Sequence, residues 1–298
     1  MLMNSTLAWV LITAFAIPNV VIAQVSVAER LAPGQPPAIV SAGRALGNVY
    51  PDDSLARISW AINRGVDIVI ISVQLTGDGH HIVMYDATLT RTTNVRDVYP
   101  TGAPRRDPGD TVARWHLVAD YTLEEIRRLR LLDPQGGDHP VPTLDEALDL
   151  INGRILAVLS LQGFDIEGLA AQLEQRSTEN LLLFNEGDLE KLRGVSTATG
   201  IGVWSTVTEA QYPKIALQRL FDRFGSDLRV VDVEHDQLTQ DFVTRADQLG
   251  VRLSHRGIGF EDAALSRGNT KPWQDALGGQ AGIFVSKYPD AVLRLMGR

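Results

Sequence analysis

The 298-residue chain contains no cysteine, which removes disulfides, zinc–thiolate sites and thiol nucleophiles together and leaves the redox compartment open. It also lacks any excess of positive charge. Lys and Arg total 28 against 36 Asp and Glu, a net charge of -8, and no basic stretch could track a phosphate backbone; nucleic acid is not an expected partner. Long apolar runs are missing beyond the first residues, so no later segment is expected to span a membrane. With 44% hydrophobic residues the chain can bury one large core or two small ones, which excludes global disorder. No internal repeat and no second domain can be read.

What is present begins with a stretch that reads as an export signal. Residues 7–17 are almost uninterruptedly apolar, and Val21-Ile22-Ala23 offers small or aliphatic residues for cleavage before Gln24, the pattern of a signal peptide over 1–23. The n-region carries no Lys or Arg, while Pro18 and the short apolar run argue against an anchor helix. Cleavage leaves 275 residues with the same net charge of -8, and a periplasmic or secreted protein is expected.

A lead over 24–37 precedes a single domain over 38–298. Within it, short β-branched runs alternate with amphipathic stretches of helical period, the pattern of a parallel sheet covered by helices. Strand candidates are 38–41, 68–74, 82–85, 155–161, 181–184, 202–205, 229–233, 252–254 and 281–285. The second and third are joined only by Leu75-Thr76-Gly77-Asp78-Gly79-His80-His81, too short for a crossover helix but suited to a hairpin. Eight strands then remain, which predicts an α/β fold, a (β/α)8 TIM barrel with a hairpin at its mouth. Thr122-Leu123-Glu124-Glu125 and Thr143-Leu144-Asp145-Glu146 read as capping boxes. Residues 87–121, rich in Pro, Gly, Asp and Arg and without period, predict a small insertion over the C-terminal mouth.

Val66-Asp67-Ile68-Val69-Ile70-Ile71-Ser72-Val73-Gln74-Leu75-Thr76-Gly77-Asp78-Gly79 and then Ile82-Val83-Met84-Tyr85-Asp86-Ala87-Thr88-Leu89-Thr90-Arg91-Thr92-Thr93-Asn94 resemble, in order and spacing, the glycerophosphodiester phosphodiesterase family. Supporting matches are Pro51-Asp52-Asp53-Ser54, Tyr121-Thr122-Leu123-Glu124-Glu125-Ile126, Pro142-Thr143-Leu144-Asp145-Glu146-Ala147 and Val285-Ser286-Lys287-Tyr288-Pro289-Asp290. The resemblance spans about 38–290, strongest before Asp149. It implies a barrel of the PLC-like phosphodiesterase type and, in exported members, hydrolysis of glycerophosphodiesters with calcium or magnesium, within lipid metabolism.

That chemistry needs carboxylates on the metal and two histidines for proton transfer, because a hard cation takes oxygen ligands and a leaving alkoxide takes a proton. The resemblance places the family's metal carboxylates at Ile70, Ser72 and Ser160, its Lys at Gln162, and its histidines at Gly43 and Tyr85. A shifted alignment does not restore them: no histidine precedes His80, Asp67 is the only acidic residue between Ser54 and Gly77, and none lies between Asp149 and Asp165. No metal cofactor is expected, and a pseudoenzyme is the leading expectation, binding a small anionic or polyol ligand, or a protein partner, at the mouth.

The competing expectation is an active phosphodiesterase or other hydrolase rebuilt around Asp232, Glu234 and His255. Asp232 and Glu234 alternate on a predicted strand and so face one side, as paired carboxylates for glycoside cleavage would; His255 ends the next strand. Ligand-binding candidates are Arg44, Asp86, His255 and Lys287, joined by Arg256, all near predicted strand ends where such barrels bind ligands. The alternative for these cations is structural pairing with Asp52, Asp53 or Asp86. Trp204 can wall the pocket or simply pack. A scaffold with its mouth plugged by 87–121 is a third class. His80-His81 reads as an exposed hairpin, since neighbours on a strand point oppositely. His255-Arg256-Gly257 repeats the family's first-strand His-Arg-Gly, but the next strand has no carboxylate pair, so it reads as coincidence.

Overall fold

Runs of Val, Ile and Leu that are buried on both faces require a parallel sheet clothed by helices, and most of the eight barrel strands of this chain are such runs. The computed structural model describes residues 25–32, 34–42, 50–106, 115–133, 135–208 and 211–298; the signal expected over 1–23, and Gly43 and Arg44, lie outside them. The strands are β1 (Ala38–Ser41), β2 (Ile68–Leu75), β3 (His81–Val83), β4 (Leu156–Leu161), β5 (Leu181–Phe184), β6 (Gly202–Thr206), β7 (Leu228–Val233), β8 (Arg252–Arg256) and β9 (Ile283–Ser286). All but β3 are parallel, in the order β1-β9-β8-β7-β6-β5-β4-β2, and β1–β2 pairing closes the ring. β3 runs antiparallel on β2 as a hairpin. The (β/α)8 barrel expected from the strand count is what forms.

Alternation along each strand divides the core in two. Ala38, Val40, Ile68, Leu156, Val158, Leu182, Phe184, Trp204, Val230, Ile283 and Val285 fill the barrel. Ile39, Val69, Ile71, Ala157, Leu159, Leu183, Val231, Leu253 and Phe284 face the helices. A fully buried Leu, Ile or Val stabilises by roughly 1.5–3 kcal/mol, so the two cores together hold the ring closed. The lead is more than a leader to β1: its short helix Val27–Arg30 sends Val27 into the inner core, with Val25 and Leu31 packed beside it. Backbone bonds from Val25 to Gly153 and from Val27 to Glu179, 2.8 Å each, stitch it to the barrel. Residues 25–32 and 34–37 thus stopper the end opposite the mouth.

The insertion is larger than expected and lies to one side. Leu89, Val95, Ala103, Val118, Tyr121, Ile126, Leu129, Leu131 and Val141 gather with Ile82 and Met84 into a core of their own, so the module reaches past 121 to about 141. Short helices and isolated bridges build it, which is why no hydrophobic period announced its extent. Both predicted capping boxes form, at Thr122 and at Thr143. Among the described residues no helix is long and apolar enough to cross a membrane.

Candidate functional site

The strand C-terminal ends surround an open cavity of about 340 Å³. Ile70, Ser72, Ser160 and Tyr85, the positions from which the resemblance withholds carboxylate and histidine, all line it, together with Lys287. Among the described residues of the 87–121 segment none lines it, and those residues do not plug the mouth: they pack on a core of their own beside the hairpin.

One wall comes from β2 and β4. Ser72 and Ser160 are direct register partners, and Gln162 donates to Ser160 Oγ at 2.9 Å. Ser72 is 1% exposed, and its Oγ has no hydrogen-bond partner among the described residues. Tyr85, just past β3, is set by its own backbone: its N–H donates to Asp53 at 3.0 Å and its carbonyl accepts from Gln74 at 3.3 Å. Trp204 and Phe184 contribute apolar lining while packing in the inner core, so the two readings of Trp204 both hold.

The facing wall is charged. Arg256, one step past its β8 neighbour His255, points inward with Nε 2.7 Å from Asp232 Oδ2 and Nη1 3.1 Å from Glu186. Burial pushes the Asp232 carboxyl up, and the Arg256 charge works against that shift. Lys287 follows β9, with its backbone N–H donating to Asp262 at 2.6 Å; Asp262 also accepts from Ser286 at 2.7 Å and from Trp273 Nε1 at 3.1 Å. A buried strut on the helix side therefore fixes where the Lys287 side chain enters.

Several expected participants lie elsewhere. Glu234 is exposed beyond the end of β7 and does not line the cavity. His255 is buried on the helix side of β8, 3.0 Å from Glu261 and edge-on to Trp273 and Phe284. Alternation along β8 makes this unavoidable: if Arg256 faces inward, His255 faces out. The Asp232, Glu234 and His255 constellation is therefore not assembled. Asp86 is also outside the cavity, because Arg91 bonds it and lies 3.0 Å from Asp52. Asp52 further meets Arg57 at 3.3 Å, so these acids are paired by arginines of their own segment and not by Arg256 or Lys287. His81 departs from the exposed-hairpin reading: it is 3% exposed, with Nδ1 2.8 Å from Gln172, whereas His80 is exposed as expected. Gly257 has a packing reason, since a Cβ there would meet the Trp273 ring at 2.3 Å.

Glu186, Gln162 and Asp262 were not singled out as ligand-binding or positioning residues. The first two lie two residues beyond cavity-facing Phe184 and Ser160, a period-2 continuation that could have found them. Asp262 carries no local signal, because its partners come from a helix and a strand beyond it.

The calcium or magnesium of the resembling family would have to be held by these residues. A hard cation takes six or more oxygens, several from carboxylates. Here Asp232 and Glu186 share one guanidinium, Lys287 stands near, and Ile70, Ser72 and Ser160 bring no charge. Among the described residues no three His, Asp or Glu side chains converge to hold a metal. The residues present do not fit the ion.

Comparison with known proteins agrees with the architecture. A bacterial glycerophosphodiester phosphodiesterase from Bacillus altitudinis is 28% identical over 41% of this chain and 44% of its own length. One from Caldanaerobacter subterraneus subsp. tengcongensis is 31% identical over 39% of this chain and 41% of its own. The chain thus matches less than half the length of either relative. The crystal structure of a glycerophosphoryl diester phosphodiesterase from Parabacteroides distasonis superposes with a TM-score of 0.71 at 19% identity, covering 92% of each chain, which speaks for the fold. The glycerophosphoryl diester phosphodiesterase family model matches residues 44–254, most of the barrel just described, and the chain belongs to that family.

Proposed function

We propose that this family member has lost metal-dependent phosphodiester hydrolysis and holds a small anionic or polyol ligand at the barrel mouth, in the periplasm or outside the cell. The observation that carries the reading is the cavity wall itself: uncharged Ile70, Ser72 and Ser160 lie where a cation would need oxygen anions, while the cavity stays open. Hydrolysis would need charge at the phosphorus met and a proton moved. Tyr85 stands where the resemblance puts a histidine, and a phenol is less suited than an imidazole to moving a proton at neutral pH. Loss of general acid–base catalysis alone costs ~10²- to 10⁴-fold, and loss of the ion is a separate deficit. The rebuilt-hydrolase alternative has only Asp232 at the cavity. The relatives are named as enzymes, which makes the assay decisive.

Purified protein is expected to release no glycerol phosphate from glycerophosphocholine above a heat-inactivated control, with calcium, magnesium or neither. In parallel, millimolar sn-glycerol 3-phosphate is expected to raise the melting temperature, since a ligand that binds only the folded state stabilises it. Turnover that a chelator abolishes would refute the loss of hydrolysis. An unchanged melting temperature would refute the ligand site.

A further inference from the structure

The cavity is two-sided in its chemistry. In a ring ordered β1-β9-β8-β7-β6-β5-β4-β2, β8 stands across from β4 and β7 across from β2. Arg256 and Lys287 therefore lie on one wall, and Ser72, Ser160 and Gln162 on the opposite one. Among the described residues the second wall holds no charge but does hold a buried hydroxyl, Ser72 Oγ, without a hydrogen-bond partner. Leaving a buried donor unmet is costly, and a ligand hydroxyl is the group that would meet it.

On the charged wall the two cations are held differently. The Arg256 Nε bond to Asp232 is buried, Asp232's side chain being 4% exposed, and fixes the guanidinium; the bond to Glu186 sits at the rim, Glu186 being 61% exposed. Solvent-exposed pairs of that kind contribute little, so the Nη edge can exchange Glu186 for another anion while Asp232 keeps it aimed. The Lys287 ammonium makes no ion pair among the described residues, and its backbone is pinned by Asp262. Lys287 is thus a cation positioned before any ligand arrives.

We propose that the cavity takes a polyol bearing a single anionic group, held in one orientation: the anion between Lys287 and the Nη edge of Arg256, the hydroxyls on Ser72, Ser160 and Gln162. This rests on reading the mouth as a ligand site and adds the ligand's direction and a competitor, Glu186, which bonds the Nη edge of Arg256 that the anion would take. The anion stands on the β8–β9 side, away from Ile70, Ser72 and Ser160.

Calorimetric titration with three probes, sn-glycerol 3-phosphate, inorganic phosphate and glycerol, tests it. The wild type should bind glycerol phosphate most tightly. Lys287→Met should weaken glycerol phosphate and phosphate about tenfold or more and leave glycerol unchanged. A Ser72→Ala, Ser160→Ala double variant should weaken glycerol phosphate and glycerol severalfold and leave phosphate unchanged. Glu186→Gln, a rim change that removes no core contact, should tighten both anions about two- to fivefold, and this arm stands even if a cavity variant fails to fold. The reverse assignment, serine variants losing phosphate and Lys287→Met losing glycerol, overturns the orientation while leaving the ligand site intact. Equal losses for all probes, or weaker anion binding by Glu186→Gln, overturn it too. Absence of binding of all three to the wild type overturns both this inference and the function it rests on.

Discussion

Asp53 is a carboxyl the fold tolerates at a cost. It sits in the left-handed region, φ 60°, and is 6% exposed. Burial raises its pKa from the ordinary 3.8 to about 7; the Tyr85 N–H opposes the shift, neighbouring Asp52 adds to it, and Arg57 and Arg91 oppose it. A folded-state pKa above the unfolded one means that the folded protein holds the extra proton between the two values. The associated stability is fully present below about pH 4 and is lost as pH rises through about 7. Asn keeps an acceptor for the Tyr85 N–H, tolerates positive φ and does not titrate. The stability of Asp53→Asn relative to wild type should therefore grow by up to about 3 kcal/mol between pH 5 and pH 8, read by urea denaturation at both pH values; a constant difference would show that Asp53 does not titrate in that range. At this scale the sequence was legible for what is missing. Ile70, Ser72, Ser160 and Tyr85 could each be placed from flanking motifs, and all reached the cavity. What compensates was less legible, because Arg57 and Arg91 return to Asp52 and Asp86 through turns whose geometry no local pattern records.

The helix Leu144–Ile151 shows how an element can be read almost completely. Thr143 accepts from the Glu146 N–H at 3.1 Å, and Glu146 accepts from the Thr143 N–H at 2.9 Å, so two free N–H donors at the helix start are each met by the other residue's side-chain oxygen. Leu144, Ala147, Leu148 and Ile151 then form the buried stripe, and Asn152 stops the helix at φ 35°. Thr143→Ala should cost about 1 kcal/mol, measured as a lower urea midpoint with unchanged slope; a loss several times larger would mean that the cap also holds the insertion module, which Arg127 ties to Glu146 at 2.7 Å. The strands were as legible, within one or two residues at their ends, since β-branched runs buried on both faces have few alternatives. His81 was not: whether a hairpin residue faces solvent depends on the helix Ile166–Glu174, which supplies Gln172.

Across the whole molecule, the mouth and the opposite end are organised on different principles. The mouth joins Glu186, Asp232 and Arg256 from β5, β7 and β8, and residues so far apart in sequence become neighbours only when the ring closes. That is why the charged wall could be anticipated as scattered cations but not as a guanidinium shared by two carboxylates. At the opposite end one residue, Asp67, ties three parts of the chain together. Its carboxylate accepts from Arg30 Nε at 3.2 Å, from the Ile39 N–H at 2.8 Å and from Arg298 Nη1 at 2.8 Å, so the lead, the start of β1 and the last residue meet there. Burial would raise the Asp67 pKa, but hydrogen bonds from Arg298, Ile39 and Arg30 outweigh it and hold the carboxyl below the ordinary range. A depressed folded-state value supplies stability above the unfolded pKa that is lost as pH falls through the folded one, so this fastening acts at neutral pH and fails in acid. Asp67→Asn removes the charge both arginines need and should cost about 1–3 kcal/mol at pH 7, with the difference from wild type shrinking below about pH 4. Hydrogen exchange should speed up together in residues 26–31 and 294–298, because Arg30 and Arg298 share one carboxylate. Phosphate binding at the mouth should be unchanged, since Asp67 precedes β2 and the cavity lies beyond the other ends of the strands. Acceleration in one segment alone would show that the two chain ends are fastened independently.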